Sequence, residues 1–153
     1  MRSVISGIRI YEKLICVTND GELLGPLLYR VSAKLRAAMT TALGPFELTL
    51  SEFVCLKLLR DTPGLTNADL ARLFEVSPQT MNATMKALQS SDLIKRPAAA
   101  AQGRTLPAEI TTAGRKLLEA IDPAARNAEA TVLSALTAAD QRRFKLMLDA
   151  IAG

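Results

Sequence analysis

The chain has 153 residues, 49% of them apolar and 22% charged, so it is long enough for one packed domain and too apolar for wholesale disorder. It contains no histidine and two cysteines, Cys16 and Cys55, a set that builds neither a disulfide framework nor a zinc site. Its formal charge is +4, and no run approaches the roughly 18 uninterrupted apolar residues that a spanning helix needs.

Residues 1–21 form an N-terminal extension to which the pattern assigns no role. Arg9, Glu12 and Lys13 interrupt its apolar stretch and no small-residue cleavage site follows, so it does not have the pattern of a signal peptide and the chain is read as cytoplasmic. Cys16 lies there with only Lys13 near it in sequence to lower its pKa, which gives a redox role little support. From residue 22 to residue 43, Leu24, Leu27, Leu28, Val31, Leu35, Ala38, Met39 and Ala42 make a broad apolar stripe at helical spacing, ended by Gly44 and Pro45. A second helix opens near residue 48, with Thr49 or Ser51 as its cap, and runs to about Asp61 before Thr62, Pro63 and Gly64 break the chain. Cys55 sits in its apolar run and reads as a small buried core residue.

Residues 67–76 (NADLARLFEV) form a one-sided helical pattern that leads into Ser77 and Pro78. Ser77 suits the cap of a new helix, and Pro78 suits its first position, where a missing N–H costs nothing. Met81, Met85 and Leu88 then recur at i, i+4 and i+7 on one buried stripe. The opposite face carries Gln79, Asn82, Ala83, Lys86 and Ser90, short polar groups and one cation of the kind that reach base edges and phosphates in a major groove. Residues 93–97 look like a departing strand and residues 106–111 like a returning one, with Ala98 to Ala101 and then Gln102, Gly103 and Arg104 between them. A helix starts at Thr111, with Pro123 as a candidate kink, and a last helix is capped by Thr137 with Asp140 at its third position.

The charge is concentrated on this centre. Residues 76–116 hold Lys86, Lys95, Arg96, Arg104, Arg115 and Lys116 against Asp92 and Glu109, which is the whole excess of four. Such clustering is the electrostatic footprint of a phosphate-binding surface, although a solvated basic helix face has the same composition. An enzyme would need reacting groups, yet there is no histidine, no phosphate-cradling glycine loop and no paired carboxylates in a recognisable site. The terminal helices carry more apolar surface than a small winged module needs, which points to a helical dimer interface.

The order and spacing of these segments resemble the MarR family of bacterial winged helix-turn-helix regulators. The resemblance runs from about Leu23 to Ile151. It rests on residues 46–53 (FELTLSEF), 65–71 (LTNADLA), 76–80 (VSPQT), 88–96 (LQSSDLIKR), 102–104 (QGR) and 110–114 (ITTAG). It implies a mainly α fold with a small β-wing, a winged helix-turn-helix flanked by N- and C-terminal dimerisation helices. Residues 22–45 and 112–153 would be the dimerisation region and 46–111 the DNA-binding region.

The resemblance further implies a homodimeric, sequence-specific DNA-binding transcriptional regulator on a pseudopalindromic operator, a repressor released by a small effector such as an aromatic acid, with no cofactor, metal or membrane partner. Ser77, Gln79, Thr80, Asn82, Lys86 and Lys95 are the candidate DNA contacts, and Arg104 matches the family's wing arginine at the minor groove. Tyr29, Arg30, Met39 and Phe46 are candidates for an effector pocket. Gly25 stands where the peroxide-sensing branch carries its reactive cysteine.

Three positions depart from the family pattern. Gln102 replaces the aspartate that usually precedes the wing arginine, Pro107 falls in the returning strand, and Asp92 occupies the helix-end position where glycine is common and so requires a strained or alternative turn. Two other functions remain compatible with the residues alone: a winged helix used for protein interaction, and a sequence-indifferent architectural DNA binder.

Overall fold

The computed structural model describes residues 23–96 and 107–152. Helix α1 (Leu24–Leu43) passes through a 3-10 turn (Gly44–Phe46) into α2 (Leu50–Asp61), followed by α3 (Asn67–Leu73) and α4 (Pro78–Ser90). Strands β1 (Ile94–Lys95) and β2 (Glu109–Ile110) pair antiparallel, and α5 (Thr112–Val132) and α6 (Ala138–Ala152) complete the chain.

Hydroxyl caps start every helix from α2 to α6, whereas α1 begins after Leu23 without a side-chain cap. Thr49 accepts the N–H of Glu52 at 3.3 Å while the Glu52 carboxylate accepts the N–H of Thr49 at 2.8 Å. Thr66 and Asp69 repeat this reciprocal box at the start of α3, at 3.2 and 2.9 Å. Ser77 caps α4 through the N–H of Thr80, Thr111 caps α5 through that of Gly114, and Thr137 accepts from Asp140. Each such cap stabilises its helix by roughly 1 kcal/mol.

The helix-turn-helix is shaped by how its two helices end. The N–H of Val76 reaches back to the carbonyl of Ala71 and that of Glu75 to Arg72, with Glu75 in the left-handed region at φ 51°. Leu93 to Leu88 and Asp92 to Gln89 repeat the same pair of bonds at the end of α4, with Asp92 at φ 56°. These are Schellman motifs built without glycine. Asp92, read as requiring a strained or alternative turn, adopts the left-handed one, and α3 ends at Leu73 rather than continuing through Val76.

The core joins Met39 and Leu43 of α1, Cys55 and Leu56 of α2, Leu70 of α3, the stripe Met81, Met85 and Leu88 of α4, Ile94 and Ile110 of the strands, and Leu118 and Ile121 of α5. Burying each large member is worth roughly 1.5–3 kcal/mol. Helix α2 is the hub, touching α1, α4, β2 and α5, while α1 lies along α5. Helix α6 buries no side chain. Gln141 ties it to the carbonyls of Leu133 and Leu136, and Lys145 pairs with Glu129. Leu146 and Ile151 of α6 are 70% and 76% exposed, and Leu23, Leu24 and Leu28 at the start of α1 are likewise uncovered.

Two sequence expectations change. The strands are two residues each, with Ile94 opposite Ile110 and Lys95 opposite Glu109, and Pro107 precedes β2, so its missing N–H removes no bond from this ladder. Pro123 does not break α5, because Leu118 and Ile121 before it and Ala128 after it are buried and hold the helix on the core. The expected wing tip, including Gln102 and Arg104, and the extension with Cys16 lie outside the described residues.

Among the described glycines, Gly114 is the one packed closely against other atoms. A Cβ there would sit 2.8 Å from Ile110 Cγ1 and would also overlap the carbonyl oxygen of Leu93. Gly114→Ala is expected to destabilise the protein by about 1–3 kcal/mol, because backbone must move to admit the methyl group. Asp92→Gly should instead stabilise by up to about 1 kcal/mol by removing the left-handed penalty. Thermal unfolding of the two variants at one protein concentration checks both signs.

Candidate nucleic-acid interface

Burial of Met81, Met85 and Leu88 fixes the rotation of α4, and so decides which side chains it shows outward. Gln79, Thr80, Ala83, Lys86 and Ser90 are exposed and Asn82 is half-buried among them. With 13 residues the helix is about 20 Å long and, at about 10–12 Å wide with its side chains, matches the width of a B-DNA major groove.

The candidates are not equally available. Ser77 and Thr80 spend their hydroxyls on the cap: Ser77 Oγ accepts the N–H of Thr80 at 3.1 Å and lies 2.9 Å from Thr80 Oγ1. Both remain exposed at the helix N-terminus, where partial positive charge and hydroxyl groups face a phosphate favourably. Gln79 and Lys86 project from the exposed face without a hydrogen bond or ion pair to another described residue. Lys95 is bound across the ladder to Glu109 at 2.9 Å, with both side chains more than half exposed, a surface pair worth about 0–1 kcal/mol and readily exchanged for a phosphate.

Arg96 is the residue that the sequence pattern did not single out. Its Nη1 donates to Asn82 Oδ1 at 3.3 Å, tying the end of β1 to the outward face of α4. No local signal marks this bond, since the partners are fourteen residues apart in sequence. Thr111 was legible as the start of a helix, but it also donates its hydroxyl to the carbonyl of Asp92 at 2.7 Å, locking the root of the wing to the end of α4.

The four candidates for an effector pocket do not converge on one cavity among the described residues. Met39 is buried in the core and Phe46 packs against it from the 3-10 turn. Tyr29 stands ten residues, or about 15 Å, up α1 from Met39, and is 75% exposed. It lines an open groove of about 680 Å³ with Ser32, Ala33, Arg36, Ala37 and Thr40. Arg30 is half-buried beside it in sequence on the same helix.

The MarR family model matches residues 48–106. The HTH-type transcriptional repressor Rv2887 of Mycobacterium tuberculosis is 48% identical over 130 residues, which cover 85% of this chain and 94% of the repressor. This chain belongs to the MarR family. The structure of that Mycobacterium tuberculosis protein in complex with DNA aligns at a TM-score of 0.74 and 44% identity, covering 86% of this chain and 99% of the other. Its complex with salicylic acid aligns at 0.73 and 47%, covering 86% and 98%. MarR of E. coli, 19% identical, shares the fold at a TM-score of 0.75 over 86% of this chain and 98% of its own. The mainly helical winged helix-turn-helix architecture is thus that of the family, and no helix among the described residues is long and apolar enough to cross a membrane.

Beneath the outward face, Cys55 of α2 donates its S–H to Met81 Sδ of α4 at 3.7 Å. Burial pushes its thiol up to about 12, and the Glu52 carboxylate adds to the rise. A folded pKa raised above the unfolded value of 9.0 favours the protonated folded state, so this contribution is complete below pH 9.0 and is lost as pH rises toward about 12. Peptide-resolved alkylation at pH 8 should leave Cys55 unmodified until the protein unfolds, and Cys55→Ala should flatten the fall in stability between pH 9 and 12.

Proposed function

We propose that the protein is a homodimeric, sequence-specific transcriptional repressor that leaves its operator when a small aromatic acid binds. The observation that carries this reading is the outward face of α4, polar and cationic over a helix whose other face is locked into the core by Met81, Met85 and Leu88. Gln79 and Asn82 supply amides suited to base edges, and Ser77, Thr80, Lys86 and Lys95 supply phosphate contacts. Arg104 reaches the minor groove from the wing.

The domain scheme follows from where apolar surface is left uncovered. Residues 22–45 and 112–153 form the dimerisation region, since α1 and α6 present Leu24, Leu28, Leu146 and Ile151 to solvent in a single chain. A second copy covers them, and the two copies of residues 46–111 then read the halves of a pseudopalindromic site. As a regulator rather than an enzyme, the protein acts in the cytoplasm with DNA as its macromolecular partner.

The effector reading is supported by the salicylic acid and p-aminosalicylic acid complexes of the Mycobacterium tuberculosis relative. In this chain Tyr29 offers an aromatic wall and Arg36 a cation in the groove on α1, while Arg30 follows Tyr29 on the same helix, Met39 lies in the core and Phe46 packs against it. Release requires the ligand to bind the DNA-free conformation more tightly than the DNA-competent one.

The test is a fluorescence-anisotropy titration of the protein against DNA from upstream of its own coding region and against scrambled duplex, at two salt concentrations. Preference for the upstream DNA, weakening steeply with salt and reversed by salicylate, is expected. Equal binding to both duplexes would favour a sequence-indifferent binder, and absence of binding at low salt a protein-interaction module. In the same assay Arg104→Ala is expected to weaken binding by about 1–3 kcal/mol, and unchanged affinity would remove the wing arginine from the interface.

A further inference from the structure

The bond between Arg96 and Asn82 bears on which bases α4 accepts, given the DNA-binding function proposed above. Asn82 is the half-buried polar residue of the outward face, and Arg96, also half-buried, leaves the end of β1. Arg96 Nη1 donates to Asn82 Oδ1 at 3.3 Å. A guanidinium has five N–H donors, no acceptor, and a charge that persists at any pH the fold survives. Only the oxygen end of a carboxamide can therefore face it. Turning the amide over would set its N–H groups against those of Arg96.

We propose that Arg96 is a positioning residue that fixes Asn82 as a hydrogen-bond donor toward DNA. With Oδ1 held at the root of the wing, Nδ2 is the opposite end of the amide group, on the side of Cγ away from the Arg96 contact. An unconstrained asparagine can pair with adenine in two bonds, accepting from N6 and donating to N7. Holding the oxygen toward Arg96 leaves the Nδ2 donor as the group that meets the groove. That donor matches guanine, through O6 and N7, adenine, through N7, or thymine, through O4, and opposes the N4 amino group of cytosine. Each half-site then excludes cytosine where Asn82 lands.

The bond is single rather than bidentate, so a lysine of similar reach can replace Arg96 in this role, whereas a glutamine, which both donates and accepts, cannot fix the sense of the amide. The test uses the full-length dimer and an operator located by the titration above, with every base pair of one half-site replaced in turn. Wild type is expected to discriminate at the Asn82 position by roughly 5- to 150-fold, the range for one wrong base pair. Arg96→Lys should keep that profile. Arg96→Gln should admit cytosine, whose N4 then donates to the released oxygen, and lower discrimination there to within about threefold, while the other positions keep theirs.

Asn82→Asp provides a second arm. It preserves the contact to Arg96 but presents an oxygen to the groove, and should turn the preference toward cytosine, whose N4 donates. It carries the test if Arg96→Gln does not fold by circular dichroism. An unchanged profile in Arg96→Gln, or an equal loss at every position, would overturn the proposal while leaving the regulator reading intact. A wild type that does not distinguish operator from scrambled duplex would remove the reading on which it rests.

Discussion

Thr111 holds the two halves of the protein together through one side chain and one peptide N–H. Its hydroxyl accepts the N–H of Gly114 to start α5 and donates to the carbonyl of Asp92 at the end of α4, while its own N–H donates to the carbonyl of Leu93 at 3.0 Å. Gly114 lies against that same Leu93 carbonyl with no room for a side chain. The end of α4, the root of both strands and the first turn of α5 are consequently one junction. Because α5 lies along α1, this junction joins the long helices to the end of the helix that carries the outward polar face.

The rest of the central region is organised to let α4 have two different faces. Its inward methionines and Leu88 pack on the hub helix α2, where Cys55 meets Met81, and its ends are closed by Ser77 and by the Schellman turn at Asp92. Apart from the Ser77–Thr80 cap, the outward side chains of α4 make no bond to another described element except at Asn82. That exception is the point at which the wing root reaches onto the helix, so the geometry of the strands enters the chemistry of the groove. The strands themselves are short, and their single cross-strand ion pair, Lys95 with Glu109, is weak enough to yield to phosphate.

Local chemistry was readable in the sequence wherever the partners lie within one helical turn. Thr49, with Ser51 as its alternative, Ser77 and Thr137 were identifiable as caps because a cap needs only a hydroxyl and the N–H three residues on, and the stripe of Met81, Met85 and Leu88 because helical period dictates it. A strained or alternative turn at Asp92 followed from the missing glycine, and the left-handed form is the one adopted. What escaped were contacts between distant residues: Arg96 on Asn82, and Thr111 on the carbonyl of Asp92 nineteen residues earlier. Pro123 was read as a candidate break because the cost of proline is local, whereas the burial of Leu118, Ile121 and Ala128 that keeps α5 whole is tertiary. Periodicity likewise gave the apolar stripe of α1 without separating Met39, which the core covers, from Tyr29, which it does not.

The central claim is that the amides on α4 read base sequence rather than merely adding to a basic surface. The most direct measurement is the ratio of affinities for operator and scrambled duplex, at one fixed salt concentration, in wild type and in a Gln79→Ala, Asn82→Ala double variant. The account predicts that the ratio falls at least about tenfold while affinity for the scrambled duplex and the salt slope stay as in wild type, because phosphate contacts are retained. A ratio unchanged by the double substitution would contradict it and place sequence recognition elsewhere on the molecule.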